Sequence, residues 1–214
     1  MKKENYINNS NIKNRILTSL TSEIRFKQAH APTSGSALLV VDVQKYFTDV
    51  NSRAYLPAAK EALPNIVQAI GVYRALGLPV VFTKHIDRDE LSPMLRFWRG
   101  GIQDESIYAG LDDSLNHKDE VALEKPSYDA FYNTELNCIL ADLNINHLCI
   151  CGAVAHLCVE STARSAFVRG YDCSILADCV ADYNYEFHYG TVRSLAHGFA
   201  SIAFLDDLTA SDER

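Results

Sequence analysis

Short apolar runs alternate with longer segments of helical periodicity from Ala37 to Leu205, and this alternation restricts the fold more than any other feature of the chain. The run ALLVVDV at 37–43 is almost continuously apolar, which is typical of a strand buried on both faces. Apolar residues then recur at helical spacing over 63–76, and this segment ends at Gly77 with a proline just beyond it. The pattern predicts a strand followed by a helix.

The same pairing continues along the chain. Apolar runs predict six strands in all, at 37–43, 79–84, 120–125, 147–154, 172–178 and 199–205. Strands that alternate with helices imply right-handed crossovers and a parallel sheet covered by helices on both faces. We therefore predict an α/β protein with a three-layer αβα Rossmann-like fold and a six-stranded parallel sheet, formed by one domain at 35–214.

Residues 1–34 differ from this domain in composition and are interpreted as an N-terminal extension rich in Asn, Lys and Ser. Within it, apolar residues lie near helical spacing, at Ile12, Ile16, Leu17, Leu20 and Ile24. Two alternatives stay open for this stripe. It docks on a neighbouring subunit, or the terminus is frayed.

Charge and composition exclude several classes of partner. Lys and Arg number 20 against 27 Asp and Glu, a net charge of −7, which argues against nucleic-acid binding and against an anionic membrane surface. No apolar run approaches the roughly 18 residues of a membrane span, and the N-terminus lacks the apolar region of a secretory signal. The six cysteines lie mostly in apolar segments and are interpreted as reduced thiols. We expect a cytoplasmic protein that acts on a small molecule.

Three residues with reactive side chains follow predicted strands. The carboxyl ends of the strands are where parallel sheets bind their ligands. Asp42 closes the first strand, Lys125 the third, and Cys158 follows the fourth at the start of a helix. Alone, each has an ordinary structural explanation as a turn residue, a surface charge or a core thiol. Together they form a nucleophile, a base and an electrostatic partner. The first strand continues as DVQKYF and not as GxGxxG, so we expect no dinucleotide cofactor.

The chemistry of such a set is acyl transfer. A thiol near a helix N-terminus meets unpaired amide groups and the positive end of the helix dipole, which favour the thiolate. A neighbouring carboxylate accepts the thiol proton, and a lysine keeps that carboxylate ionised.

Four stretches resemble the isochorismatase-like cysteine hydrolase superfamily: ALLVVDVQKYF, EKPSYDAFYNTEL, CGAVAHLCVESTARSAFVRGYD and ILADCVADY. Their order and spacing match the family over about residues 37–205. The resemblance implies the same six-stranded fold and a catalytic triad of Asp42, Lys125 and Cys158. It also implies a cis peptide bond before the nucleophile helix, at Val154–Ala155, which orients backbone N–H groups into an oxyanion hole.

Within that family the sequence has mixed features. Amidase members usually carry Thr at the position of His156, whereas isochorismatases carry a pair like Ala155-His156 but generally lack a cysteine at the position of Cys158. The cysteine favours hydrolysis of a C–N bond in a small amide or ureido substrate through a thioacyl-enzyme. The alternatives are vinyl-ether hydrolysis with release of pyruvate, or a non-catalytic ligand-binding member.

Family resemblance also bears on metal, pocket and assembly. Nicotinamidases bind a metal through a DWHP-like segment, of which TKHIDRDE keeps only His85 and Asp87, so we predict no metal site and no cofactor. Family members commonly assemble, so a homo-oligomer, either dimer or tetramer, is expected. The predicted substrate-binding residues are mostly aromatic, namely Tyr46, Phe47, Trp98, Tyr128, Phe131, His156 and His188.

Overall fold

Six parallel strands form the central sheet of the computed structural model, in the order β3-β2-β1-β4-β5-β6. The structure describes residues 2–7, 12–29, 31–89, 91–98, 100–117 and 119–209. The strands are β1 (Ser36–Val41), β2 (Val80–His85), β3 (Val121–Lys125), β4 (His147–Ala153), β5 (Asp172–Ala181) and β6 (Ser201–Ala203). The predicted fold class and the six-stranded parallel sheet are confirmed.

Helices flank the sheet. They are α1 (Ile12–Glu23), α2 (Lys45–Thr48), α3 (Pro57–Ala75), α4 (Pro93–Trp98), α5 (Leu136–Asp142), α6 (Glu160–Val168) and α7 (Tyr185–Gly198). A π-helical turn at Ala155–Val159 precedes α6, and 3-10 turns lie at Asp113–Leu115 and Leu205–Leu208. No helix in the described part of the chain is long and apolar enough to cross a membrane.

Strand β5 continues three residues beyond Asp178, where the prediction ended it. The Asp178 carboxylate accepts the backbone N–H of Leu205 at 2.9 Å. Because that hydrogen bond satisfies the buried acid, a charged residue does not end the strand.

The N-terminal extension packs on its own domain where the structure describes it. Ile12, Ile16 and Leu20 of α1 are buried in the same apolar core as the sheet. Gln28 forms a parallel bridge with Ile202 beside β6. Neither predicted alternative describes this arrangement, because the apolar stripe of α1 is covered by the chain's own core.

Candidate active site

The strand order places the candidate residues around one crevice. From β1 the chain moves outward to β2 and β3, then returns to place β4 on the other side of β1. The crevice at such a reversal, at the carboxyl ends of the strands, is where open parallel sheets bind ligands. Asp42 follows β1, Lys125 ends β3 and Cys158 follows β4.

The structure brings the three predicted triad residues into contact. Lys125 Nζ lies 2.7 Å from Asp42 Oδ2, and both side chains are buried. The same ammonium group lies 3.4 Å from Cys158 Sγ and donates to the carbonyl oxygen of Ser127 at 2.7 Å. A buried lysine therefore joins the carboxylate to the thiol.

Thr83 completes the setting of Asp42 and was missed in the sequence. Its hydroxyl donates to Asp42 Oδ1 at 2.7 Å, and its carbonyl accepts the Asp42 N–H at 3.1 Å. These bonds hold Asp42 at φ 48°, a left-handed conformation that few residues other than glycine adopt. The signal was available in strand pairing, because Val41 lies opposite Thr83 in β2.

Burial dominates the protonation of the thiol. Burial raises the pKa of Cys158 well above the ordinary thiol value, Lys125 lowers it, and Asp42 raises it again. Since Asp42 already neutralises Lys125, burial outweighs the attraction of the ammonium group, and the pKa shifts in the direction opposite to the one that a helix N-terminus favours. Burial alone would lower the pKa of Lys125, but Asp42 and Cys158 raise it above that of a free lysine, so it stays charged.

The turn that carries Cys158 begins where β4 ends. The non-proline cis peptide bond joins Ala153 to Val154, one residue earlier than the predicted Val154–Ala155 bond. Ala153 is the last residue of β4, so the cis bond lies directly at the end of the strand. The backbone N–H of His156 donates to Asp182 Oδ2 at 2.8 Å, and that of Leu157 donates to the Val154 carbonyl at 3.1 Å.

Gly152 allows β4 to approach β1 just before this turn. Its φ is 117°, and a Cβ there would lie 2.0 Å from the carbonyl oxygen of Val41. The close approach needs glycine and places the end of β4 directly beside the residue that precedes Asp42.

His85 and Asp87 form a buried pair near the triad. His85 Nε2 lies 2.9 Å from Asp87 Oδ1, and Asp87 Oδ2 accepts the Ile102 N–H at 2.7 Å. Burial would raise the pKa of Asp87, but these bonds and the charge of Lys125 lower it overall. The two side chains that could ligate a metal, His85 and Asp87, bind each other instead. No cluster of three His, Cys, Asp or Glu in the described ranges suits a metal ion. This donor set does not fit the metal of nicotinamidases.

Several predicted aromatic residues lie near the triad. Trp98 Nε1 donates to Tyr128 Oη at 2.6 Å, and burial raises the pKa of Tyr128, which also senses the charges of Cys158 and Lys125. The Tyr46 hydroxyl accepts from Arg53 Nε at 3.0 Å, and the Tyr46 ring contacts Phe47 edge to face.

Tyr183 is a second residue that the sequence analysis missed. Burial, followed by Asp182, raises its pKa to about 12, with smaller contributions from Tyr128, Tyr46 and Cys158. Tyr183 therefore lies within electrostatic reach of the nucleophile and of both predicted tyrosines. Its position just after β5, at a strand end, was the available signal.

Two predicted pocket residues lie elsewhere. Phe131 stacks on Tyr171 at 5.8 Å and lies under Arg169, past the far end of α6, so it packs at the end of that helix away from Cys158. His188 is fully buried, and its Nδ1 lies 2.9 Å from Tyr6 Oη. Burial lowers the pKa of His188 to about 4.

The His156 ring packs between Asp182 and Phe187. Its Nδ1 lies 2.8 Å from Asp182, and its face stacks on Phe187 with ring centroids 4.3 Å apart. The ring is therefore held by Asp182 and Phe187.

A cavity of about 1080 Å³ opens at the other end of the sheet. It is lined by residues at the amino ends of β1, β4 and β5, including Ser36, His147 and Ser174, and by none of the triad. His147 Nε2 lies 2.7 Å from the Ser174 hydroxyl, so these two polar groups are bonded to each other. The crevice with the reactive groups is therefore the candidate active site.

Comparisons with known proteins identify the family of the chain. The model of the Isochorismatase domain family matches residues 36–207. Nicotinamidase 3 of Arabidopsis thaliana is 32% identical over 183 residues, which cover 82% of this chain and 88% of that protein. The ureidoacrylate amidohydrolase RutB of Yersinia enterocolitica is 28% identical over 204 residues, covering 77% and 87%. A cysteine hydrolase structure from Pseudomonas syringae shares the fold, with a TM-score of 0.81 at 20% identity, covering 87% and 96%.

Proposed function

The chain belongs to the isochorismatase family, and from that premise we propose that it is a cysteine hydrolase that cleaves the C–N bond of a small amide or ureido compound. One observation carries the proposal. Cys158 Sγ, Lys125 Nζ and Asp42 Oδ2 form a continuous buried chain, with separations of 3.4 and 2.7 Å. This row of side chains holds a nucleophile, a cation and a base in contact.

The first half-reaction forms a thioester. Cys158 transfers its proton to Asp42 as the sulfur attacks the substrate carbonyl carbon, and the carbonyl oxygen becomes an oxyanion. With the amides of His156 and Leu157 engaged, we assign the oxyanion hole to the backbone N–H groups of Ala155 and Cys158. The C–N bond then breaks, and Asp42 returns the proton to the departing amine or ammonia.

The second half-reaction uses the same groups. Asp42 accepts a proton from a water molecule that attacks the thioester, and the carbon–sulfur bond breaks. The departing thiolate regains the proton from Asp42, which restores the resting state. Lys125 stays charged throughout and balances whichever of the two partners is anionic.

Aromatic side chains define the substrate class in this proposal. Tyr46, Phe47, Trp98 and Tyr128 would wall a small planar substrate, and we add Tyr183 to the predicted set. His156 remains a proposed substrate contact at the edge of the crevice.

The proposal is tested with a panel of small amides and ureas, by measuring release of ammonia or amine. We expect release from at least one compound, at a rate unchanged by chelation, because no step uses a metal. Cys138→Ala, which removes an exposed cysteine, is the control and should keep full activity. Activity that is lost on chelation and restored by zinc or iron would contradict the metal-free mechanism.

Vinyl-ether hydrolysis is the alternative that the Ala155-His156 pair favours. That reaction needs a carboxylic acid that donates a proton to the substrate. Lys125 Nζ at 2.7 Å instead stabilises the ionised carboxylate of Asp42, which favours the amidase. The intact triad argues likewise against a non-catalytic binding protein.

Assembly and location complete the proposal. Three large apolar side chains on the connection between β2 and β3, Leu91, Phe97 and Ile107, are 76 to 80% exposed and would be covered in a homo-oligomer. Light scattering should give a mass above the 23.8 kDa of one chain, and Phe97→Ser should lower it. A monomer at every concentration would contradict this expectation. Six free thiols fit the cytoplasm.

A further inference from the structure

The N-terminal segment at residues 3–6 lies against the turn that follows β5. The backbone N–H of Glu4 donates to the Tyr183 carbonyl at 2.8 Å. The backbone N–H of Asp182 donates to the Tyr6 hydroxyl at 2.7 Å. The segment therefore bonds to the backbone of two consecutive residues, Asp182 and Tyr183, in a turn that borders the active site.

Tyr6 is itself firmly held. It is 7% exposed, its hydroxyl lies 2.9 Å from His188 Nδ1, and the two rings meet edge to face with centroids 5.3 Å apart. Since burial keeps His188 neutral and Tyr6 protonated, we assign the hydroxyl proton to the bond with His188. The oxygen then accepts from Asp182, so both hydrogen-bonding functions of the hydroxyl are used.

Asp182 connects Tyr6 to the turn that carries the nucleophile. Its buried carboxylate accepts the backbone N–H and the Nδ1–H of His156, both at 2.8 Å, and its own neighbour Tyr183 N–H at 2.6 Å. His156 lies two residues before Cys158, in the same π-helical turn. The catalytic steps above use neither Asp182 nor Tyr6.

Lys3 extends the segment across to the other wall of the site. Its Nζ donates to the Tyr55 carbonyl at 2.8 Å and lies 6.0 Å from the centroid of the Tyr183 ring. The loop before Tyr55 is in turn bonded to the site, because the Ser52 hydroxyl donates to the Tyr46 carbonyl at 2.6 Å. Residues 3–6 thus join the turn after β5 to the loop after α2.

We propose that Tyr6 is a positioning residue of the active site, which acts through Asp182 and His156 to fix the turn that holds Cys158. The N-terminal segment then forms part of the catalytic apparatus, although it lies outside the family match at 36–207. Only the turnover arm of the test below rests on the proposed function.

The test compares Tyr6→Phe with Tyr73→Phe in the full chain. Each variant removes one buried tyrosine hydroxyl, but Tyr73 lies on α3 beside Cys149 and touches no part of the site. The readout is the rate at which iodoacetamide labels each cysteine, followed by mass spectrometry. It needs no substrate.

In Tyr6→Phe we expect Cys158 to be labelled about tenfold faster, because the loosened turn exposes its thiol. Labelling of the buried Cys149, Cys151 and Cys179 should stay as slow as in the unmodified protein. Tyr73→Phe should leave Cys158 unchanged. Unaltered Cys158 labelling in Tyr6→Phe, or a parallel rise at all buried cysteines, would overturn the proposal, since the second result shows general unfolding.

Turnover supplies an independent arm. Tyr6 touches no substrate, so we expect Tyr6→Phe to lower kcat about tenfold with KM within twofold. Asp182→Asn, which weakens the acceptor of both His156 bonds, should change labelling and kcat in the same directions. If the protein hydrolyses no amide, the proposed function fails while the labelling result still decides the role of Tyr6. A change in KM alone would contradict it.

Discussion

Replacing Cys158 with alanine is expected to reduce amide turnover by about 10⁴-fold or more, because the covalent route through the thioester disappears. The measurement is single-turnover and steady-state amine release from the best substrate of the panel. Cys158→Ser should fold and turn over very poorly, since a hydroxyl ionises far less readily than a thiol. Alanine removes a small side chain from a tight site, so circular dichroism must show an unchanged fold.

The same variant separates the two candidate reactions. Vinyl-ether hydrolysis proceeds by protonation and needs no thiol, so isochorismate turnover in Cys158→Ala at an undiminished rate would reverse our assignment. In that case Asp42→Ala would abolish pyruvate release. For the amidase, both variants should be inactive.

Replacing Lys125 with methionine is expected to cost about 3–5 kcal/mol of unfolding free energy and at least 10²-fold in activity. Methionine has a similar shape but leaves the Asp42 carboxylate buried without its cation. Urea denaturation measures the first loss, and amine release measures the second. The pKa of Lys125 is raised in the folded protein, so the charged lysine contributes its full stabilisation below the free lysine pKa of about 10.4. The difference in unfolding free energy between the unmodified protein and Lys125→Met should therefore narrow only above that pH.

A double variant provides the control for this effect. Asp42→Asn combined with Lys125→Met removes both charges, so it should recover much of the lost stability and none of the activity. If Lys125→Met alone is as stable as the unmodified protein, then the buried ion pair does not stabilise the fold in the way that its geometry indicates.

The sequence predicts the sheet and the triad because both depend on local pattern. Apolar runs mark the strands, and the rule that parallel strands present ligands at their carboxyl ends identifies Asp42, Lys125 and Cys158 before any packing is known. The family motifs add the same three residues. Strand order then follows from the alternation of strands and helices only in outline.

What the sequence does not predict depends on packing in three dimensions. Phe131 lies three residues after Tyr128, yet the chain carries it to the far end of α6. Tyr6 meets Asp182 across 176 residues, which no local pattern encodes. The raised pKa of Cys158 is not predicted for a similar reason, because a helix-end argument takes no account of how deeply the thiol is buried.

The burial of Cys158 affects how readily its thiol is oxidised. Peroxide oxidises thiolates far faster than thiols, and the sulfenic acid that forms can progress to irreversible products. Cys158 is 6% exposed and burial raises its pKa, so we expect it to react slowly with oxidants in the resting protein. In the proposed mechanism, Cys158 loses its proton only as it attacks the substrate, when Asp42 accepts that proton. Burial thus protects the nucleophile from oxidants between turnovers.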